Sequence, residues 1–223
     1  MAGVRTFLLA SGLALAVTLY APWQEQSLTL DWIDAGHGLL VMRSEVTIAQ
    51  WQLCVDDGGC SFSPKPGNGA YDENFPVTGI GVLDAREFVT WAQKATGKTV
   101  QLPSLEQWYE FSEVPKIRPA KLFTDPRMAW AATYGSEADV DTTLKQHGGF
   151  GQTSKQIADV KGNVWEWTSS CVVEAQPDRC PAYFAAGEHE AKVPIFVRDP
   201  SSGGCSSGKP PAHLGMRLVL KKN

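Results

Sequence analysis

The chain has 223 residues, and its 20 Lys and Arg against 24 Asp and Glu give a net charge of −4 at neutral pH. This balance lacks the basic surface that nucleic-acid binding requires, because neutralising phosphates takes clustered Lys and Arg. The length suits one domain with a sizeable core, and no linker rich in Pro or Ser divides it. We therefore expect a single globular domain over residues 28–223 and no contact with nucleic acid.

Residues 1–21 form a separate N-terminal segment, in which Arg5 precedes an apolar run that continues to Ala21. This pattern is typical of a signal peptide. Pro22 directly after Ala21 disfavours cleavage there, so the segment is either a cleaved signal or a retained anchor. No later stretch is comparably apolar. We expect an extracytoplasmic protein that resides in the periplasm; the alternatives are a secreted and a membrane-anchored protein. It would contact a membrane only through an uncleaved N-terminal segment.

Five cysteines follow the export segment, in a setting where disulfides persist. Cys54 and Cys60 flank a Gly-Gly turn, and Cys171 and Cys180 bracket a polar loop that contains a proline. The spacing predicts the disulfides Cys54–Cys60 and Cys171–Cys180. Cys205 is then the odd thiol, which is free, reactive or paired with another molecule.

The first part of the domain alternates extended and helical patterns. Residues 28–31 and 38–42 are rich in strand formers, which predicts two strands. The apolar spacing over 47–55 predicts a short helix capped by Thr47. Residues 61–75 have no period and contain prolines, glycines and asparagines, so they form a loop.

Two more helices follow a strand predicted at 76–81. Asp84 is expected to cap the first helix, which runs over 85–95 with Phe88 and other apolar residues on one face and Gly97 just beyond its end. The second helix is expected over 103–111 and is stopped by a nearby proline.

The remainder has weaker patterns. Residues 116–157 predict long irregular segments, and strands are expected at 164–168, 196–197 and 214–220. Mixed strands and two early helices without strand–helix–strand alternation indicate the α+β class.

Three segments in register carry a resemblance to a known family. They read Ser44-Glu-Val-Thr-Ile-Ala-Gln-Trp51, then Pro76-Val77 through Asp84-Ala-Arg-Glu-Phe-Val-Thr-Trp91 into Leu102-Pro-Ser-Leu-Glu-Gln-Trp108, and last Asp159-Val-Lys-Gly-Asn-Val-Trp-Glu-Trp167 followed by Leu214-Gly-Met-Arg-Leu218. Together they resemble the signature of the formylglycine-generating enzyme, or sulfatase-modifying factor, family over most of residues 40–220. The resemblance implies a C-type-lectin-like α+β fold with short antiparallel strands and little regular secondary structure.

The segment around Glu166 is the candidate metal site. In a strand, Trp165 and Trp167 face one side, which we expect to be the interior, and Val164 and Glu166 face the other. The resemblance implies a structural Ca²⁺ held by the Glu166 carboxylate and by nearby oxygens of Gly162 and Val164. The alternative is a glutamate bonded to backbone amides in a buried turn.

The copper chemistry of the family is not expected here. The resemblance implies two C-terminal cysteines that bind Cu(I) and activate O₂, since soft thiolates suit that ion. Between Phe196 and Leu218 this sequence has only Cys205, and one thiolate is a weak copper site. His213 is either a second ligand or an ordinary surface residue.

Two functions are therefore weighed. The first is an accessory, maturation or binding protein for another exported protein, without the oxidase activity; the chain resembles small exported relatives associated with copper nitrite reductase and with siderophore maturation. The alternative is an O₂-dependent oxidoreductase that uses Cys205 on a peptide or a small molecule. We expect Arg198 and Arg217 to be structural charges in either case.

Overall fold

A computed structural model describes residues 27–63, 72–116, 143–173, 179–187, 190–198 and 213–222. These residues form three helices and eight short strands, which confirms the α+β class. The elements in chain order are β1 Trp32–Gly36, β2 Leu39–Met42, α1 Ile48–Asp56, α2 Val82–Thr96, β3 Val100–Gln101, α3 Leu105–Ser112, β4 Trp165–Cys171, β5 Ala182–Ala186, β6 Glu190–Pro194, β7 Leu214–Gly215 and β8 Val219–Lys221. Among them no helix is long and apolar enough to span a bilayer. The predicted signal or anchor at 1–21 lies outside the described residues.

The strands form two four-stranded sheets. The first sheet has the order β1-β2-β8-β3 and is antiparallel, and the second has the order β6-β5-β4-β7. In the second sheet β4 pairs with β7 in parallel, with Trp165 opposite Leu214, while the other pairs are antiparallel. The C-terminal chain therefore passes from the second sheet, through β7, to the first sheet, through β8. Residues 216–218 form the link between them.

Capping boxes begin α1 and α3. The Thr47 hydroxyl accepts from the Gln50 amide, and the Gln50 side chain accepts from the Thr47 amide. Ser104 and Gln107 make the same reciprocal pair at α3. Each pair satisfies two amide groups that have no partner within the helix. The cap at Thr47 confirms the sequence prediction, and α3 begins at Leu105, two residues after the predicted start at 103.

The start of α2 corrects the prediction. The helix begins at Val82, after Gly81, and Asp84 is its third residue rather than its cap. The Asp84 side chain reaches back to accept from the Gly81 amide at 2.7 Å, so it still serves a terminal amide of the helix. At the other end Gly97 adopts a left-handed conformation with φ of 65°, as glycine after a helix commonly does.

Several predicted strands are shorter than expected or shifted. The first begins at Trp32 rather than at residue 28, and the chain at 76–81 contributes only an isolated bridge between Pro76 and Thr47. Residues 196–197 form no strand. The predicted strand at 214–220 is broken at 216–218, because there the chain leaves one sheet and joins the other.

Buried residues form two clusters on either side of β4. The larger contains Trp51, stacked on Phe88 with ring centroids 5.2 Å apart, and also Trp167 of β4. The smaller contains Trp108 and Phe111 of α3. The alternation along β4 is as predicted, but both of its faces are covered. Glu166, expected on a less buried face, is therefore fully enclosed.

Candidate functional site

The centre of the domain holds a buried ion pair between Glu166 and Arg217. Arg217 Nη2 lies 2.7 Å from Glu166 Oε1, and Arg217 Nε lies 2.9 Å from each carboxylate oxygen. Both side chains are essentially inaccessible to solvent. Bidentate pairing of this kind combines charge with the planar geometry of guanidinium and carboxylate. The prediction that Arg217 is a structural charge agrees with this position.

The remaining guanidinium hydrogens of Arg217 bind backbone carbonyls. Nη1 donates to the Met42 and Arg43 carbonyls, each at 3.1 Å, and Nη2 donates to the Ala158 carbonyl at 2.8 Å. Met42 ends β2 of the first sheet, whereas Glu166 belongs to β4 of the second. Arg217 lies in the link at 216–218 and therefore connects the two sheets through its side chain.

Trp108 of α3 completes the surroundings of the carboxylate. Its indole Nε1 donates to Glu166 Oε2 at 2.9 Å, and the ring is fully buried. Burial lowers the pKa of Arg217, but the carboxylates of Glu166 and Glu45 more than offset this and raise it above its usual range. The guanidinium therefore stays charged in the core.

Glu45 is a second buried acid near this pair. Only 1% of its surface is exposed, and neither carboxyl oxygen has a hydrogen-bond partner among the residues that the structure describes. Burial raises its pKa to about 8, Arg217 opposes this shift, and Glu166 and Asp159 add to it. Glu45 is therefore protonated at neutral pH, which removes most of the cost of enclosing an unpaired carboxylate.

Asp159 is the third buried acid and lies on the chain just before β4. Its Oδ1 accepts from the Phe150 amide at 2.8 Å, and its Oδ2 accepts from the Gly148 amide. Its own backbone is left-handed, with φ of 64°. Asp159 thus anchors the glycine-rich turn at 148–151 to the core.

These contacts do not fit the calcium site that the resemblance implies. Glu166 is buried against a cation and an indole donor, so its oxygens do not face an open site. The part of the chain that the structure describes contains no arrangement of three or more His, Cys, Asp and Glu side chains suited to a metal ion. Gly162 packs against the Phe150 ring. This contact does not involve its carbonyl oxygen, so calcium ligation by the oxygens of Gly162 and Val164 stays a prediction.

A second ion pair joins α2 to the chain after β6. Arg198 Nε and Nη2 each lie 2.7 Å from an oxygen of Asp84, and Asp84 is almost fully buried. The Arg198 guanidinium also covers the Phe62 ring at 4.9 Å. This geometry agrees with the structural role expected for Arg198.

The candidate nucleophile Cys205 lies outside the described residues. The described chain ends at Arg198 before this segment and resumes at His213 after it. The His213 carbonyl accepts from the Trp165 amide at 3.0 Å, which fixes the backbone at the start of β7. The expectation that Cys205 makes only a weak copper site, with His213 either a second ligand or an ordinary surface residue, stays a prediction.

Both predicted disulfides are present. Cys54 and Cys60 are bonded, as are Cys171 and Cys180. The first closes the turn after α1, and the second ties the end of β4 to the start of β5. Such bonds are typical of proteins outside the cytosol.

Three large apolar side chains are well exposed among the described residues: Leu83 at 50%, Val173 at 51% and Phe196 at 79%. Leu83 lies in the first turn of α2. Phe196 is followed by Val197. If a Cβ atom were placed on Gly81, the residue before α2, it would lie 3.1 Å from the carbonyl oxygen of Val197. The segment bearing Phe196 therefore runs beside the start of the helix that bears Leu83.

Sequence reasoning missed the roles of Glu45, Asp84 and Asp159. Glu45 and Asp159 lie within the segments that carry the family resemblance, but an acidic residue gives no local sign that it is buried. The available signal was their position beside strongly apolar neighbours, such as Val46 and Val160. That signal is weak because strands commonly alternate apolar and polar residues.

In the described part of the chain, two small sheets linked through a buried arginine pack with three helices, as in the C-type-lectin-like α+β fold that the resemblance implies. The sequence matches the sulfatase-modifying factor enzyme 1-like domain over residues 25–222. The chain therefore belongs to this family, named for the formylglycine-generating enzymes that modify sulfatases. No curated protein matches the chain.

Solved structures share the fold at low sequence identity. Treponema denticola variable protein 1 is 13% identical with a TM-score of 0.53, and the match covers 87% of this chain and 93% of that one. PvdO from Pseudomonas aeruginosa is 15% identical with a TM-score of 0.54, covering 82% and 80%. CarF is 15% identical with a TM-score of 0.52, covering 83% and 87%. At these identities the likeness concerns the fold alone.

Proposed function

We propose that this family domain is an accessory, maturation or binding protein for another extracytoplasmic protein, and that it lacks the copper oxidase activity of the family. We place it in the periplasm, with secretion or membrane anchoring as alternatives. The observation that carries the proposal is the presence of one cysteine, Cys205, between Phe196 and Leu218. A Cu(I) site of the kind implied by the family resemblance needs two thiolates there.

The other cysteines cannot supply the second thiolate, because all four are held in disulfides. The charged residues of the family motifs are instead used inside the domain. Glu166 and Arg217 bind each other, and Asp84 binds Arg198. These interactions connect separate parts of the fold, and the outer surface is left to determine binding.

Two exposed apolar side chains, Leu83 and Phe196, support the binding role. Leu83 and Phe196 are large side chains that expose half or more of their area. Apolar residues of this size on the surface are suited to a protein partner, since burying them in an interface removes apolar area from water.

The alternative is an O₂-dependent oxidoreductase that uses Cys205 on a peptide or small molecule. It is favoured by the fact that Cys205 belongs to neither disulfide. This alternative requires a reactive thiol whose loss abolishes activity, whereas the accessory role predicts that Cys205→Ser leaves partner binding unchanged.

The binding role is tested by mild crosslinking of the tagged protein in the cells that export it, identification of the captured partner, and titration of the purified pair. Combined Leu83→Ser and Phe196→Ser should weaken binding by at least about tenfold, as loss of large apolar interface residues commonly does. The exposed Lys161→Ser serves as the control and should leave the affinity unchanged. Equal affinity of all three proteins would contradict the use of this surface.

A further inference from the structure

The buried cluster around Glu166 already contains a cation, the guanidinium of Arg217. We propose that Arg217 supplies, from within the chain, the positive charge that the family resemblance assigns to Ca²⁺ at this position. The cluster then binds no calcium and needs none to fold. The inference concerns folding and is independent of the proposed partner and of Cys205, so the two proposals fail separately.

The acceptor capacity of Glu166 is the first argument. Its Oε1 accepts from Arg217 Nε and Nη2, and its Oε2 accepts from Arg217 Nε and Trp108 Nε1, all at 2.7–2.9 Å. Three hydrogens make these four contacts, with the Nε hydrogen shared between the two oxygens, so both oxygens of the carboxylate already accept from donors. Calcium takes about six to eight oxygen ligands and could use Glu166 only after displacing these donors.

The neighbouring carboxylate is also occupied. Asp159 lies seven positions before Glu166 and accepts from the amides of Gly148 and Phe150. Turning its oxygens towards an ion would leave two backbone amides without that acceptor. Unsatisfied buried amides are costly, so this rearrangement opposes ion binding.

The electrostatic environment acts in the same direction. A divalent ion beside Glu166 would be repelled by the guanidinium at short range in a medium of low polarity. Arg217 cannot swing away easily, because its nitrogens also bind the carbonyls of Met42, Arg43 and Ala158.

Thermal unfolding of the purified exported protein in EDTA and in rising Ca²⁺ tests this inference. Calcium is raised to about 10 mM, roughly ten times the dissociation constant of the weakest extracellular calcium sites. A site of that class would raise the melting temperature by several degrees through mass action. We expect a change of less than about 1 °C.

Glu166→Gln shows whether any calcium ion that stabilises the protein binds at this cluster, because the substitution keeps the shape of the side chain and removes its charge. We expect this variant to be strongly destabilised, equally in EDTA and in calcium, because Arg217 loses its partner. A calcium-dependent rise that the wild type shows and the variant lacks would overturn the proposal.

A rise that both proteins share would place the ion elsewhere and would support the proposal for this cluster. If Glu166→Gln does not fold, the wild-type titration decides alone. In that case a saturable increase in melting temperature with calcium contradicts the inference, and an unchanged melting temperature supports it.

Discussion

Arg217 and Glu166, brought together from positions 51 residues apart, form a fully buried ion pair at the junction of the two sheets. Such a pair is not automatically a net source of stability, because removing both charges from water is costly. Once the two charges are buried, however, the loss of any hydrogen bond to them leaves a buried polar group without a partner and destabilises the fold. The surrounding contacts are therefore the sensitive points of the fold.

Trp108→Phe removes the indole donor to Glu166. Trp51→Phe is the matched control, since that indole is equally buried and donates at the same distance, 2.9 Å, to the neutral carbonyl of Phe62. Hydrogen bonds to charged groups contribute more, so Trp108→Phe should cost about 1 kcal/mol more than Trp51→Phe. Urea unfolding measures both, and equal or reversed losses would contradict a special role for the Trp108 contact.

Glu45→Gln should change the pH dependence of stability. The folded pKa of about 8 lies above the ordinary value of 4.5, so the favourable contribution of the protonated acid is complete below about pH 4.5 and is lost as pH rises towards 8. The amide introduced by the substitution does not titrate. The variant should therefore gain stability relative to the wild type between about pH 5 and pH 8, as measured by urea midpoints. A constant difference across this window would show that Glu45 titrates normally.

Asp84→Asn should destabilise the protein by about 1.5–3 kcal/mol, because it disrupts charge-assisted bonds between a buried carboxylate and Arg198. Asp31→Asn is the control, since the Asp31 side chain is 62% exposed in its pair with Arg43, whereas that of Asp84 is 3% exposed. Exposed pairs contribute little, and that substitution should cost less than about 1 kcal/mol. Chemical denaturation compares the two, and similar losses would contradict the structural role of Asp84.

The local features of the fold were the ones that the sequence predicted well. Thr47 was identified as a helix cap because a cap acts on residues only three positions away. The two disulfides were predicted because each joins cysteines separated by fewer than ten residues. In both cases the interaction and its signal lie in the same short stretch.

Features that depend on distant partners were not predicted. Asp84 looked like a helix cap, but its position is set partly by Arg198, 114 residues away. The burial of Glu166 depends on α3 covering the second face of β4, which an alternating strand pattern does not indicate. Phe196 was placed in a strand because it is apolar, yet it lies on the surface.

The number of free thiols tests the assignment of Cys205. Four of the five cysteines form disulfides, so the denatured protein without reductant should contain one reactive thiol, and Cys205→Ser should contain none. Ellman titration gives this count directly. No thiol in the wild type would mean that Cys205 is bonded to another molecule or is otherwise modified.

The central claim, a family domain without the copper oxidase site, is tested most directly by titrating the purified exported protein with Cu(I) against a competing chelator. Cys205→Ser is the control. The account predicts that the chelator retains the copper and that wild type and variant behave alike, because one thiolate makes a weak site. Tight binding of one Cu(I) per chain that is lost in Cys205→Ser would contradict the account and favour the oxidoreductase.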